Sequence, residues 1–135
     1  MKLTPARRSS IATSIISDMA AGTAANPKIQ IYTGSLPAAM GGTIAGTLLA
    51  ELETTAGAAT ESGGTITFDA IENDASANNT GTAGWARVID RDGAEALYLS
   101  VSVTGGSGDL KLNTLSIEAG GPVAITSATI TVGAA

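Results

Sequence analysis

The chain contains no cysteine and no histidine among its 135 residues. Without these side chains it has no thiolate nucleophile, no imidazole base and no ligand set for the usual zinc sites. Disulfide bonds are excluded for the same reason. The remaining chemistry is that of carboxylates, hydroxyls and seven cationic side chains. We therefore expect no metal site, no cofactor and no enzymatic activity.

Aromatic residues make up only 3% of the chain and charged residues 14%, whereas apolar residues make up 44%. The formal net charge is −5, and the only cluster of basic residues is Lys2, Arg7 and Arg8. Nucleic-acid binding needs clustered cations to neutralise phosphates, so no nucleic-acid partner is expected. The apolar runs are far shorter than the roughly 20 residues that cross a bilayer, so no membrane partner is expected either.

The length suits a single domain with a core of its own. We expect residues 1–22 to form an N-terminal helix or arm and residues 28–132 to form the β-rich body. Thr4 followed by Pro5 is a typical helix start, and Gly22 is a plausible stop. The apolar stripe that the helix would bury consists of Ile11, Ala12, Ile15, Ile16 and Met19. The helix can dock on its own sheet or on a neighbouring subunit, and we favour the first.

After Gly22 the apolar pattern changes to a period of two. Residues 28–33 predict a strand with Ile29 and Ile31 on one face and Lys28, Gln30 and Tyr32 on the other. Further strands are predicted at 47–52 and 65–68. The segments 38–46, 53–64 and 71–80 are predicted to be loops, the last of them a polar surface loop.

Residues 81–103 predict a β-hairpin with its turn at Asp90 to Gly93. A two-residue turn would pair Val88 with Leu97 and place Trp85 on the opposite face. A three-residue loop would pair Ile89 with Glu95 and place Trp85 on the face of Leu97 and Leu99. We favour the three-residue loop, although Arg87 would then lie on the apolar face and would have to extend its head to solvent.

The last two strands, within 109–117 and 123–132, each change face near the middle. The changes lie near 113–114 and 126–127, which are opposite each other if residues 119–122 join an antiparallel hairpin. This pattern predicts a paired bulge or bend at which both strands pass from one sheet of a sandwich to the other.

No motif supports catalysis. Asp90 and Asp92 are carboxylates at a turn rich in Asp and Gly, where such residues serve the turn itself. Residues 105–108 lack the lysine and hydroxyl of a phosphate loop. The candidates for a partner interface are Lys2, Arg7, Arg8, Tyr32, Arg87 and Tyr98. For the basic group the alternative is a solvated first turn, and for the strand residues it is packing on the sheet.

A series of short segments follows the predicted helix. They are KIQIYTG at 28–34, LLAEL at 48–52, GTITF at 64–68, GTAGWAR at 81–87, DG at 92–93, NTLSIEAG at 113–120 and ITSATIT at 125–131. In this order, over nearly the whole chain, the sequence resembles small virion proteins of tailed bacteriophages. The resemblance implies a mainly β fold, an antiparallel, jelly-roll-like β-sandwich with one N-terminal amphipathic helix.

The resemblance also implies a role in the virion. We expect a capsid decoration or cement protein, made in the host cytoplasm, that binds the major capsid protein and stabilises the head lattice. Homo-oligomers would form through sheet edges or through the N-terminal helix. The alternative is a tail or neck component, or a tail-associated carbohydrate-binding module on the same type of sandwich.

Overall fold

The computed structural model describes residues 1–133, in which one helix and ten strands occur. The helix, α1, spans Pro5–Met19. The strands are β1 (Lys28–Tyr32), β2 (Leu48–Glu53), β3 (Ala59–Ser62), β4 (Thr65–Phe68), β5 (Gly81–Thr82), β6 (Trp85–Ile89), β7 (Glu95–Val103), β8 (Leu110–Leu112), β9 (Ser116–Ile117) and β10 (Ile125–Thr131).

Eight strands form one hydrogen-bonded sheet in the order β2-β1-β6-β7-β8-β10-β4-β3, and β5 pairs separately with β9. β7 and β8 are parallel, whereas the other neighbours in the large sheet are antiparallel. The expectation of a mainly β fold with one N-terminal helix is confirmed. The expectation of purely antiparallel pairing is wrong at β7 and β8, so the large sheet is mixed.

Within residues 1–133, the buried hydrophobic residues form one cluster that draws on strands far apart in the order of the sheet. Ile29 of β1, Val88 of β6, Ile66 of β4 and Leu110 of β8 all belong to it and are fully buried. Because strands from both halves of the sheet share this cluster, the sheet curls around its apolar face.

The helix begins as predicted and packs on its own domain. Thr4 caps it by accepting the Arg7 backbone N–H through Oγ1 at 3.3 Å. Its contacts are with β3, β4 and β7, and Ala12 and Met19 are fully buried. Docking on its own sheet is therefore confirmed. Ile11 is 39% exposed, so its place in the buried stripe was predicted wrongly.

The β6–β7 hairpin combines parts of both predicted registers. The three-residue loop forms, with Gly93 at φ 90° and Ile89 paired with Glu95. A bulge then shifts the register by one residue, so that Val88 pairs with Leu97. The predicted position of Trp85 on the Leu97 face is therefore wrong. With the bulge, Arg87 no longer lies on the apolar face. In the register that we favoured, its charged head would have had to extend from that face to solvent.

The predicted irregularity near residues 113 and 126 is present. The β8–β10 register shifts between Ile125 and Ser127. After Leu112 the chain leaves the large sheet and forms β9 in the two-stranded one, as a passage between sheets requires. β10 stays in the large sheet and exchanges β8 for β4 as its partner, so the predicted passage is wrong for this strand.

Residues 53–64 contain a strand that the sequence pattern does not predict. β3 has the sequence ATES, which lacks alternating apolar residues, and it pairs with β4 across Gly63 and Gly64. Both glycines have positive φ, at 59° and 88°, as the central residues of a type I′ turn require. The turn glycines were the available signal for this hairpin.

The loop at 71–80 covers an edge of the large sheet. The Asn78 backbone N–H donates to the Leu49 carbonyl at 2.8 Å, and the Glu51 backbone N–H donates to Asp74 Oδ2 at 3.1 Å. These bonds satisfy outward-facing backbone groups of β2. The loop therefore protects this edge from pairing with another chain.

The connection from β7 to β8 reverses the chain twice within a few residues, which is short for parallel neighbours. Gly108 lies against the β7 backbone, and a Cβ added there would be 2.6 Å from the Ser102 nitrogen. The Ser102 hydroxyl accepts the Gly108 N–H at 3.0 Å. This reversal therefore requires glycine at position 108.

We expect Gly108→Ala to lower the free energy of unfolding by about 1–3 kcal/mol, because the added methyl group overlaps strand backbone that cannot move freely. Chemical denaturation followed by circular dichroism measures this. Gly57→Ala is the control, because its added Cβ would have only Asp69 Oδ2 within 4 Å, at 3.8 Å. Equal stability of the two variants would contradict the close approach.

Candidate functional site

Three of the six predicted interface residues lie together on the face of the sheet opposite the core. Tyr32 is on β1, Arg87 on β6 and Tyr98 on β7. Gln30 pairs with Arg87 across β1 and β6, and Arg87 pairs with Tyr98 across β6 and β7. We call this set, with Lys28, Gln30, Glu51, Trp85 and Glu95, the outer-face cluster.

Three of the four aromatic residues of the chain meet in this cluster. The Tyr32 and Trp85 rings stack with centroids 4.9 Å apart, and the Tyr98 ring lies 4.9 Å from Trp85 at a tilt of 59°. The Arg87 guanidinium lies 5.6 Å from the centre of the Tyr32 ring, a cation–π distance. Trp85 is 1% exposed and Tyr32 6% exposed, so the rings form a packed layer.

The polar groups of the cluster form a continuous network across four strands. The Gln30 oxygen accepts from Arg87 Nε at 2.8 Å and from the Tyr32 hydroxyl at 3.2 Å. The Gln30 amide donates to Glu51 at 2.7 Å. Glu51 also accepts from Lys28 Nζ at 3.1 Å. Gln30 thus connects the two ion pairs of the face.

The second ion pair lies on the other side of Gln30. Arg87 Nη1 donates to Glu95 Oε2 at 3.0 Å, and the Tyr98 hydroxyl donates to the same oxygen at 2.5 Å. In residues 1–133 every buried side-chain nitrogen and oxygen has a hydrogen-bond partner. The arrangement therefore suits a rigid support better than an open ligand site.

The network shifts the acidity of its members. The Tyr98 hydroxyl, followed by Arg87, lowers the pKa of Glu95, while burial opposes them. Burial raises the pKa of Glu51, but the bonds from Gln30 and Lys28 and the Lys28 charge outweigh it, so the pKa is lowered. The hydrogen bond to Glu95, with burial, raises the pKa of Tyr98. The fold thus favours charged carboxylates and a neutral tyrosine.

We expect a stability plateau bounded by these shifts. The lowered pKa values of Glu51 and Glu95 contribute stability above the ordinary glutamate value of 4.5, and this is lost as the pH falls further. The raised pKa of Tyr98 contributes stability below the ordinary tyrosine value of 10.0, and this is lost as the pH rises through the folded value. Denaturation midpoints from pH 2.5 to 11 measure both limits.

Tyr98→Phe is the matched variant for this measurement. It removes the titrating hydroxyl and keeps the ring, so the loss at alkaline pH should become shallower. Stability that stays constant from pH 5 to 3 would contradict the role assigned to the carboxylates.

The structure does not join the three N-terminal basic residues to this cluster. Lys2 and Arg7 are exposed at the start of α1. Arg8 Nε donates to the Val132 carbonyl at 2.9 Å and so ties the helix to the end of β10. Within residues 1–133 no hydrogen bond or ion pair connects Lys2, Arg7 or Arg8 to the outer-face cluster.

The two turn carboxylates serve the fold, as the sequence predicts. Asp92 Oδ1 accepts the backbone N–H groups of Thr23 and Ala24 at 2.9 and 3.0 Å, and these bonds lower its pKa. Asp90 Oδ1 accepts the Asp92 and Ala94 backbone N–H groups at 2.9 Å. In residues 1–133 no group of three or more acidic side chains is placed to hold a metal ion.

Sequence reasoning missed part of the cluster. Alternation along β1 placed Lys28, Gln30 and Tyr32 on one face, which is correct. Glu51 and Glu95 were not assigned to an interface, and Trp85 was placed on the apolar face of β7, because their positions depend on the bulge in β7 and on the β1–β2 register. In the favoured register a charged residue, Arg87, lies on the apolar face. That unfavourable position was the signal that the register was wrong.

Comparisons with protein-family models, with curated proteins and with solved structures found no match to this chain. Within residues 1–133, α1 falls short of the length and apolarity that a membrane-spanning helix needs.

Proposed function

We propose that the chain is a non-enzymatic structural protein of a tailed-bacteriophage particle, a decoration or cement protein that binds the major capsid protein on the outside of the head. It is made in the host cytoplasm and resides in the virion. The jelly-roll-like sandwich belongs to this proposal, and the curled sheet whose two halves share one core is consistent with it.

The observation that carries the proposal is the outer-face cluster. Its charges and aromatic rings are bonded to one another, which makes a stiff face without a free reactive group at its centre. A cement protein needs such stiffness, because flexible contacts would lose conformational entropy on binding. The order of motifs that resembles small virion proteins supplies the phage setting.

Binding of this protein would by itself stabilise the capsid lattice. A protein that binds the assembled lattice and not its separate subunits shifts the equilibrium toward the lattice. Oligomer contacts through a sheet edge would fall on β3, where Thr60 and Ser62 are exposed, because residues 72–79 cover β2. Oligomer contacts through the N-terminal helix would use the exposed side of α1, which includes Ile11.

The second candidate is a tail-associated carbohydrate-binding module, or another tail or neck component. The gathering of three aromatic rings beside Arg87 favours the carbohydrate-binding module. The burial of Trp85 and Tyr32 counts against it, because a sugar platform presents open ring faces.

Copy number in purified particles tests the proposal. Quantitative mass spectrometry of intact and disrupted virions gives the ratio of this chain to the major capsid protein. We expect a ratio near that of the shell subunits, in the head fraction. A few copies per particle would favour the tail or neck, and complete absence would contradict every virion role.

A further inference from the structure

Asp92 and Gly93 form the only Asp-Gly pair in the chain, and the sequence contains no Asn-Gly pair. In an Asp-Gly pair the backbone nitrogen of the glycine can attack the side-chain carboxyl carbon of the aspartate, because glycine has no side chain to hinder the approach. Both residues are exposed in the turn between β6 and β7, where water reaches them. The turn therefore contains a pair that can rearrange without an enzyme.

The rearrangement has two steps and needs no reactant except water. First the Gly93 nitrogen forms a bond to Asp92 Cγ, the carboxyl C–OH bond breaks, and the N–H proton and the hydroxyl group leave together as water. The product is a five-membered cyclic imide. Water then adds to the main-chain carbonyl carbon of Asp92 and breaks its bond to the Gly93 nitrogen, so that the chain continues through Cγ as isoaspartate. Addition of water at Cγ instead restores aspartate.

The fold engages both reacting groups in other bonds. Asp92 Oδ1 accepts the backbone N–H groups of Thr23 and Ala24 at 2.9 and 3.0 Å. The Gly93 N–H donates to the Asp90 carbonyl at 3.2 Å. The bonds from Thr23 and Ala24 also lower the pKa of Asp92, which keeps the carboxyl group charged and its oxygen a poor leaving group. A folded chain must therefore open this contact before the imide can form.

The donors to Asp92 belong to residues 21–25, which we call the helix–strand connection because they lead from α1 toward β1. Three further bonds hold this connection to the turn. The Ala25 N–H donates to the Arg91 carbonyl at 3.0 Å, the Arg91 N–H donates to the Ala21 carbonyl at 2.9 Å, and Arg91 Nε donates to the Ala25 carbonyl at 2.8 Å. Opening of the Asp92 contact therefore means that the connection moves away from the turn.

Gly22 shows how closely the connection approaches the carboxylate. Its φ is 96°, and a Cβ added there would lie 2.5 Å from Asp92 Cγ and 2.7 Å from both carboxylate oxygens. A side chain at position 22 would therefore displace the carboxylate from its two donors. Such a substitution opens the contact and leaves the Asp92–Gly93 pair itself unchanged.

We propose that Asp92–Gly93 is a self-modification site whose rate is set by the helix–strand connection. While the connection stays on the turn, the chain keeps aspartate at position 92. Once the contact opens, isoaspartate forms, and the extra methylene group in the backbone moves the carboxylate away from Thr23 and Ala24. The opening then becomes permanent. This chemistry belongs to the chain alone and does not depend on the proposed function.

Incubation of the purified protein at neutral pH, followed by quantification of isoaspartate at position 92 by peptide mass spectrometry, tests this proposal. We expect the folded chain to form isoaspartate at least about tenfold more slowly than the same chain in guanidinium chloride, because two hydrogen bonds to a charged group must break first. The folded Gly22→Ala variant should form it severalfold faster than the folded parent. Gly120→Ala is the matched control, because Gly120 also has a positive φ, at 82°, but an added Cβ meets nothing within 4 Å.

Equal rates in the folded and the unfolded chain would overturn the proposal, and so would an unfolded chain that forms no isoaspartate at position 92. Circular dichroism verifies that each variant is folded. A folded Gly22→Ala protein that reacts no faster than Gly120→Ala would likewise overturn the proposal. If Gly22→Ala does not fold, the comparison of the parent with and without denaturant decides by itself.

Amide hydrogen exchange tests the last step. The Thr23 and Ala24 amides should exchange faster in the isolated isoaspartyl chain than in the aspartyl chain, because their acceptor has moved. Equal exchange in the two chains would contradict a permanent opening.

Discussion

Gly84→Ala is expected to lower the free energy of unfolding by about 3 kcal/mol or more, toward the upper end of what overpacking costs. A Cβ on Gly84 would lie 1.7 Å from the Gly34 carbonyl oxygen and 3.1 Å from the Gly34 nitrogen. Both atoms are backbone, so no side chain can rotate away. The Gly84 N–H also donates to the Tyr32 carbonyl at 2.9 Å, which holds the two chains together at this point.

Urea denaturation of the purified variant measures this loss. Gly42→Ala is the matched control, since a Cβ there has nothing within 4 Å. Its stability should stay within about 0.5 kcal/mol of the parent, as is usual for exposed positions. A Gly84→Ala protein as stable as the Gly42→Ala protein would show that the two loops do not approach so closely.

Trp85→Ala is expected to cost about 3–5 kcal/mol, the usual range for removing a large buried aromatic side chain. The indole is 1% exposed and contacts both tyrosine rings of the outer-face cluster. Its loss would enlarge the cavity that Trp85 lines together with residues 33–35, 37 and 45–46, and it would leave the Thr33 carbonyl without its Trp85 donor. Thermal unfolding followed by far-ultraviolet circular dichroism measures the change, because the variant has no tryptophan to report it.

Trp85→Phe separates packing from hydrogen bonding. Phenylalanine keeps a stacked ring but lacks the indole N–H, so the loss should be smaller than for alanine, about 1–2 kcal/mol. An alanine variant no less stable than the phenylalanine variant would contradict the packed aromatic layer.

The parts of the fold that local chemistry determines could be predicted from the sequence. Thr4 and Pro5 mark the helix start, alternation marks β1, and Thr65–Phe68 forms β4 as predicted. The parts that depend on pairing between distant segments could not be predicted. The parallel contact of β7 with β8 follows from the backbone approach at Gly108, which no periodicity reveals.

The candidate site shows the same division. Tyr32, Arg87 and Tyr98 were named from residue type, and the structure brings them together. Lys2, Arg7 and Arg8 were named from their clustering in the sequence, and they lie at the helix start, apart from the outer-face network. The role of Gln30 as the link between two ion pairs needed the register of three strands, which a one-residue bulge changes.

The most direct test of the central claim is the thermal stability of head shells produced without this chain, measured with increasing amounts of the purified protein. We expect the shell melting temperature to rise with protein concentration and to level off at saturation, because a protein that binds only the assembled lattice stabilises that lattice. A melting temperature that stays the same at every concentration would contradict the cement function.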